Sequence, residues 1–129
     1  MFTLEAIKAA HASVRSGADF PAYVRDLKAL GVSNYDTYVT DGHTDYRGMD
    51  GHAVSSDGKY PSLAVADVAN AQQFIADLKT HQQGGTDYMT FCRDCARAGV
   101  EKWTVSTALM TCTYYDRAGN QLLEEMIPG

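Results

Sequence analysis

No stretch of the chain approaches the roughly 20 consecutive apolar residues that a helix needs to cross a bilayer, so no membrane partner is expected. The opening residues Met1-Phe2-Thr3-Leu4-Glu5 lack a basic region followed by an apolar run, and no export signal is expected either. Cysteine is scarce: the chain has 3, an odd number, all in its last third. A disulfide framework does not fit that count, and reduced thiols in a cytoplasm are the natural expectation. Positive charge is short as well. With 11 Lys and Arg against 16 Asp and Glu the formal net charge is −5, which repels a phosphate backbone and counts against nucleic acid as a partner. The excess is too small for a DNA mimic and mainly favours solubility. GxGxxG, Walker, HExxH and GxSxG signatures are absent, as is any paired-carboxylate signature, so motifs point to no cofactor and no catalytic residue.

What is present reads as one globular domain over residues 1–129. Hydrophobic residues make up 45% and charged residues 21%, ordinary usage for a soluble fold. A chain of this length buries roughly two-thirds of its unfolded surface and needs no staples.

A repeat organises it. Set Gly17 against Gly85, an offset of 68 residues (85 − 17), and Asp19 meets Asp87, Arg25 meets Arg93, Asp26 meets Asp94, Gly31 meets Gly99 and Val32 meets Val100. Aromatics also fall opposite aromatics: Phe20 and Tyr88, Tyr23 and Phe91, Tyr35 and Trp103. Chance gives about one identity in such a window. Ile7 with Ile75, Tyr46 with Tyr114 and Gly51 with Gly119 extend the match. Two tandem copies are expected, about 1–61 and 67–129, related by a pseudo-twofold.

Each copy carries two helices and then strands. Residues 3–15 have Leu4, Ile7, Ala10 and Val14 at helical spacing, with Thr3 as cap and Gly17 as stop. The second helix opens at Asp19 with Pro21 in its first turn and stops at Gly31. In the second copy Asn70 and Gln73 form a capping-box pattern before the apolar face Phe74, Ile75 and Leu78, and Asp87 opens a helix that stops at Gly99. Residues 35–40 and 43–47 flank Asp41-Gly42, the signature of a tight primed hairpin, and 52–56 make a third strand. Their counterparts are 102–107, 110–115 and 121–127. The predicted class is α+β, with two α-α-β-β-β units and an antiparallel sheet packed by helices; whether the two strand sets form one sheet stays open.

The runs Gly17-Ala-Asp-Phe-Pro-Ala-Tyr-Val-Arg-Asp-Leu-Lys, Tyr38-Val-Thr-Asp-Gly-His-Thr, Leu78-Lys-Thr-His-Gln-Gln-Gly, Phe91-Cys-Arg-Asp-Cys-Ala-Arg-Ala-Gly-Val-Glu-Lys-Trp and Thr111-Cys-Thr-Tyr-Tyr-Asp-Arg-Ala-Gly-Asn together resemble the YbcV-like family. That is a domain-of-unknown-function family of short bacterial proteins, some labelled phage envelope protein. The resemblance implies a bacterial protein of this α+β type, with a prophage accessory role as the reading the label suggests. It supplies no agreed active site.

Three groups of side chains compete for a functional role. Cys92-Arg-Asp-Cys95 has the spacing of redox and zinc sites, but the repeat aligns these positions with Val24 and Leu27, so buried thiols are expected. Among the histidines, His11 and His81 share helix faces with apolar residues and read as boundary residues, with His81 also a candidate lining residue of a cleft. His43, Asp45 and His52 gather into a divalent-metal cluster if residue 52 pairs with residue 47; a solvated sheet face is the competing reading. Of the strand aromatics, Tyr35, Tyr46, Trp103 and Tyr114 read as core, and Tyr38 and Tyr115 as exceptions that point the other way. The recurring Arg25-Asp26 and Arg93-Asp94 pairs read as structural salt bridges. The leading expectation is a non-enzymatic domain that binds a protein partner or itself through its sheet or the seam between copies. The alternative is a small-molecule or metal-dependent activity near His43, Asp45 and His52.

Overall fold

Helix ends follow the capping residues closely in the computed structural model of the protein, which describes residues 2–12, 14 and 19–127. Helix α1 (Leu4–His11) starts where the Thr3 hydroxyl accepts from the Ala6 amide at 3.2 Å. It closes at Ala12, earlier than the predicted residue 15, and the expected stop at Gly17 lies outside the described residues. Helix α2 (Phe20–Leu30) carries its proline in the first turn and ends on Gly31, whose φ of 102° lets its N–H reach back to the Leu27 and Lys28 carbonyls. Helix α3 (Ala71–Gln82) is capped by Asn70, whose side-chain oxygen accepts from the Gln73 amide at 3.0 Å. Only half of the capping box forms, because the Gln73 amide group turns one helical turn onward to Asp77 at 2.9 Å. Helix α4 (Tyr88–Arg97) begins where Asp87 accepts from the Thr90 amide at 2.7 Å. Asp94 pairs with Arg97 and not with the adjacent Arg93, since neighbours in sequence do not face each other on a helix.

The strands are β1 (Val32–Tyr38), β2 (Thr44–Gly48), β3 (Ala53–Ser55), β4 (Val100–Ser106), β5 (Thr111–Asp116) and β6 (Gln121–Met126). They form one antiparallel sheet of six in the order β3-β2-β1-β4-β5-β6. The two sets of three join through β1 and β4, with Asn34 opposite Ser106 and Tyr38 opposite Lys102.

The β1–β2 connection departs from the tight Asp-Gly turn expected. Five residues, 39–43, separate the strands, and of Asp41 and Gly42 only Gly42 has a positive φ, 78°. Long-range bonds open the turn: the Asp41 carbonyl accepts from the Lys59 amide at 2.7 Å, the Tyr60 hydroxyl donates to the Val39 carbonyl at 2.6 Å, and the Leu63 amide donates to Thr40. The polar segment after β3 is thus a strap across the turn.

All four helices pack on one face of the sheet. The core there joins Ile7, Tyr23, Val24 and Leu27 from the first helix pair, Phe74, Leu78, Phe91, Cys92 and Cys95 from the second, and Tyr35, Tyr46, Trp103, Val105, Cys112 and Tyr114 from the strands. Ile75, predicted on the apolar face of α3, is 45% exposed; Phe74 and Leu78, four residues apart, carry that face, and Ile75 is turned 100° away from Phe74.

Candidate functional site: the uncovered face of the sheet

Alternation along each strand sends the remaining side chains to the face that no helix covers. Strand register arranges them in three rows. One runs Ala53, Arg47, Asn34, Ser106, Thr111, Met126; the next Ser55, Asp45, Asp36, Thr104, Thr113, Glu124; the third Tyr38, Lys102, Tyr115, Gln121, with His43 beside Tyr38.

At the centre of the middle row sits Asp36, only 6% exposed although it lies on the face away from the four described helices. Its burial comes from its own neighbours. Arg47 Nη2 donates to Asp36 Oδ2 at 2.8 Å, the Thr104 hydroxyl donates to the other oxygen, and the Lys102 ammonium stands 3.7 Å away. Arg47 Nε donates in turn to Asn34 Oδ1 at 2.7 Å. The register sets Asp36 directly opposite Asp45, a like-charge contact that these cations offset, while Asp45 accepts from the Ser55 hydroxyl at 2.8 Å. The network holds Arg47 in a single pose, with its charge neutralised against a shielded carboxylate.

Lys102 is flanked by Tyr38 across β1–β4 and by Tyr115 across β4–β5. Its ammonium lies 5.8 and 5.5 Å from the two ring centroids, within cation–π range. The His43 ring stacks on Tyr38 at 4.5 Å with an interplanar angle of 8°. His43 Nδ1 meets the Asp41 carboxylate, which also accepts from the His43 backbone amide at 3.0 Å. Those bonds, the backbone one first, hold the Asp41 carboxyl below its usual range. The result is a fixed line of Asp41, His43, Tyr38, Lys102 and Tyr115. It presents aromatic and cationic groups to solvent with few rotamers left to freeze, as suits a contact surface.

Of the residues singled out in the sequence, Tyr38, His43 and Tyr115 lie together in this line, and Asp45 lies one row away. His52 does not join them. The Gly48 amide donates to the His52 carbonyl and Ala53, not His52, pairs with Arg47; this shift of one residue turns the ring to the helix side. There His52 Nε2 meets the Phe2 carbonyl at 2.8 Å and the ring packs edge-on against Phe2. His81 stacks on Phe91 at 4.3 Å and reaches Thr86, tying α3 to the start of α4. Among the described residues no group of three or more His, Cys, Asp or Glu is placed to hold a metal ion.

The thiols are sealed. Cys92 and Cys95 are fully buried on the inner side of α4, and burial pushes both thiols up, Cys95 strongly. Burial also pushes Cys112 up to about 12. An acid whose folded pKa is raised stabilises the fold fully below its unfolded value, here about 9 for a thiol, and that stability is lost as pH rises through the folded value. We expect no reaction of native protein with a thiol-specific chromophoric disulfide, full reaction of all three thiols after unfolding, and a falling unfolding midpoint from pH 9 upward. Fast labelling of Cys92 at neutral pH would contradict this.

A family profile described as "Protein of unknown function (DUF1398)" matches residues 8–126. The chain belongs to this family. The match spans the sheet and helices α2 to α4 whole, with the second half of α1, so the face described above lies inside the DUF1398 region. No curated protein matches the chain. Sequence reasoning missed Asp36, Arg47 and Lys102. The signal was available in the offset of 68, which sets Arg47 against Tyr115, Lys102 against Asn34 and Asp36 against Thr104, where core positions meet their like.

Proposed function

We propose that this chain is a binding domain, not an enzyme, and that it makes its contact through the uncovered face of the sheet. The reading starts from an internal doubling. In its favour, β1–β4 pairing sets Asp36 opposite Thr104, and 36 + 68 = 104, as a twofold through that pair requires. The bulge between Val32 and Asn34 recurs between Val100 and Lys102, each displaced by 68. The bonds Val39 N to Glu101 O and Thr107 N to Ser33 O exchange under the same operation, as do Gly48 N to His52 O and Asp116 N to Asn120 O.

Against that frame the two faces of the sheet differ. Helix-side pairs keep their character: Val24 and Cys92 are both fully buried, as are Leu27 and Cys95, and Tyr46 and Tyr114 are both core. On the uncovered face Tyr38 stands against Ser106, Arg47 against Tyr115, Asn34 against Lys102 and Asp45 against Thr113. Packing positions of α2 and α4 and of the central strands stay alike, whereas those on the uncovered face have each acquired separate chemistry; α1 and α3 do not follow the match, Ile7 being buried and Ile75 45% exposed. That contrast is the observation that carries the reading. Two open grooves, of about 430 and 540 Å³, hold none of Tyr38, His43, Asp45, His52, His81 or Tyr115. The likeness to YbcV-like proteins and a cytoplasmic setting belong to the same proposal, and three unpaired thiols favour the latter.

A photo-crosslinking side chain placed at Tyr115 or Gln121 should give adducts of discrete mass in living cells, and one at Lys79 on α3 should give none. Equal yields from all three positions would overturn the assignment of the face.

A further inference from the structure

Of the exposed residues of α2, only Arg25 and Asp26 recur in α4 at the offset of 68, as Arg93 and Asp94. Asp94 has a structural reason to be there, since it is buried and pairs with Arg97. The arginines have none. Among the described residues neither Arg25 nor Arg93 makes a hydrogen bond or an ion pair. Asp87, held below its usual range first by Thr90, feels Arg93 only as a smaller contribution. Lys28 and Arg97 stand in the last turns of their helices, where a cation complements the helix dipole; Arg25 and Arg93 stand about a turn earlier. What the two arginines share is a groove. Arg25 and Lys28 line the one of about 540 Å³, and Arg93 and Arg97 the one of about 430 Å³.

Resting on the doubling but not on the uncovered face, we propose that the groove along α4 binds a small organic anion, an apolar body bearing one carboxylate or phosphate, with Arg93 as the group that recognises the charge. Leu63 and Ala64 form one side of the groove and α4 the other, with the nearly buried Ala96 between the arginines and the strap side. The Leu63 side is fixed at both ends: the Leu63 amide donates to the Thr40 carbonyl at 2.7 Å and the Ala66 amide to the Ala96 carbonyl at 2.9 Å. Arg93 and Arg97, four residues apart, share one face of the helix. Arg97 gives one Nη2 donor to Asp94, which offsets its charge, steadies the side chain and leaves its other N–H groups for a ligand. Arg93 therefore supplies the net charge, in a planar fork that matches two oxygens of a carboxylate or phosphate. A groove of this volume suits a ligand of metabolite size. The formal net charge of −5 repels a polyanion at long range, so a small anion is the occupant that the charge distribution favours.

Titration of the full ¹⁵N-labelled chain with benzoate, and separately with phenyl phosphate, at constant ionic strength tests this by NMR. Saturable shifts are expected at the Arg93 and Arg97 Nε–H signals and at the Ala64 amide. Arg93→Gln, at an exposed position where folding is not at stake, should weaken that binding at least about tenfold while the rest of the amide spectrum stays in place. Saturation by phenyl phosphate alone assigns a phosphate head, by benzoate alone a carboxylate, and by both the charge they share. A second saturating set at Arg25 extends the site to the first copy. Arg117, exposed and paired with Asp67, is the reference. Equal drift at Arg117 and Arg93 means loose ion pairing only and overturns the inference. So do saturation at Arg25 alone, saturation untouched by Arg93→Gln, and no saturation with either probe. None of these results bears on the contact face, which the crosslinking at Tyr115 and Gln121 decides separately.

Discussion

Phe74→Ala should lower the unfolding free energy by about 3–5 kcal/mol, read as a drop in urea midpoint with an unchanged slope. The side chain is fully buried and begins a run of rings: Phe74 lies 4.8 Å from Tyr114, Tyr114 6.1 Å from Trp103, Trp103 5.8 Å from Phe91, and Phe91 stacks on His81. That run fixes α3 and α4 onto β4 and β5. Truncation at Phe74 removes its transfer energy and opens a cavity against rings that cannot collapse into it, because each is held by the next. A loss under about 1 kcal/mol would mean that α3 is not docked this way.

Gly99→Ala should be more damaging than Gly31→Ala, although both glycines follow a helix with positive φ, 85° and 102°. The conformational term is shared and costs about 1–2 kcal/mol at each site. Space separates them. A Cβ on Gly31 meets only the Phe2 ring at 3.9 Å, ordinary contact, whereas one on Gly99 comes within 2.7 Å of the Ala69 Cα and 3.0 Å of the Val68 carbonyl. Backbone cannot step aside as a side-chain tip does, and the segment is held there by the Asn70 amide on the Ala98 carbonyl at 2.8 Å. Thermal unfolding of the two variants side by side checks the order; equal shifts in Tm would remove the close approach as a cause.

The α+β class, four helix starts and the strand positions were legible because caps, glycine stops and period-two alternation are local signals. The β1–β2 turn was not. Asp41-Gly42 favours a two-residue turn in isolation, but Asp41 also serves the strap at Lys59 and Tyr60, contacts no local pattern announces. The candidate site was partly legible for a similar reason. Tyr38, His43 and Tyr115 were found by alternation, and His52 was misplaced by the one-residue difference between pairing with Arg47 and pairing with Gly48. No local pattern marks Arg47 and Lys102; Asp36, set between their strands, gives both a fixed address.

Among the described residues, β1 and β4 are the strands that join the front and rear sets, through the ladder from Asn34 to Tyr38 against Ser106 to Lys102. Cut the chain in the strap and each fragment would inherit a long raw border of unmet amides and carbonyls, flanked by Tyr35 or Trp103 with half their cover gone. Such fragments would find each other or clump. Carrying both on one polypeptide keeps that border at high effective concentration with its proper mate, so the most aggregation-prone line in the molecule is also the one that closes without a search.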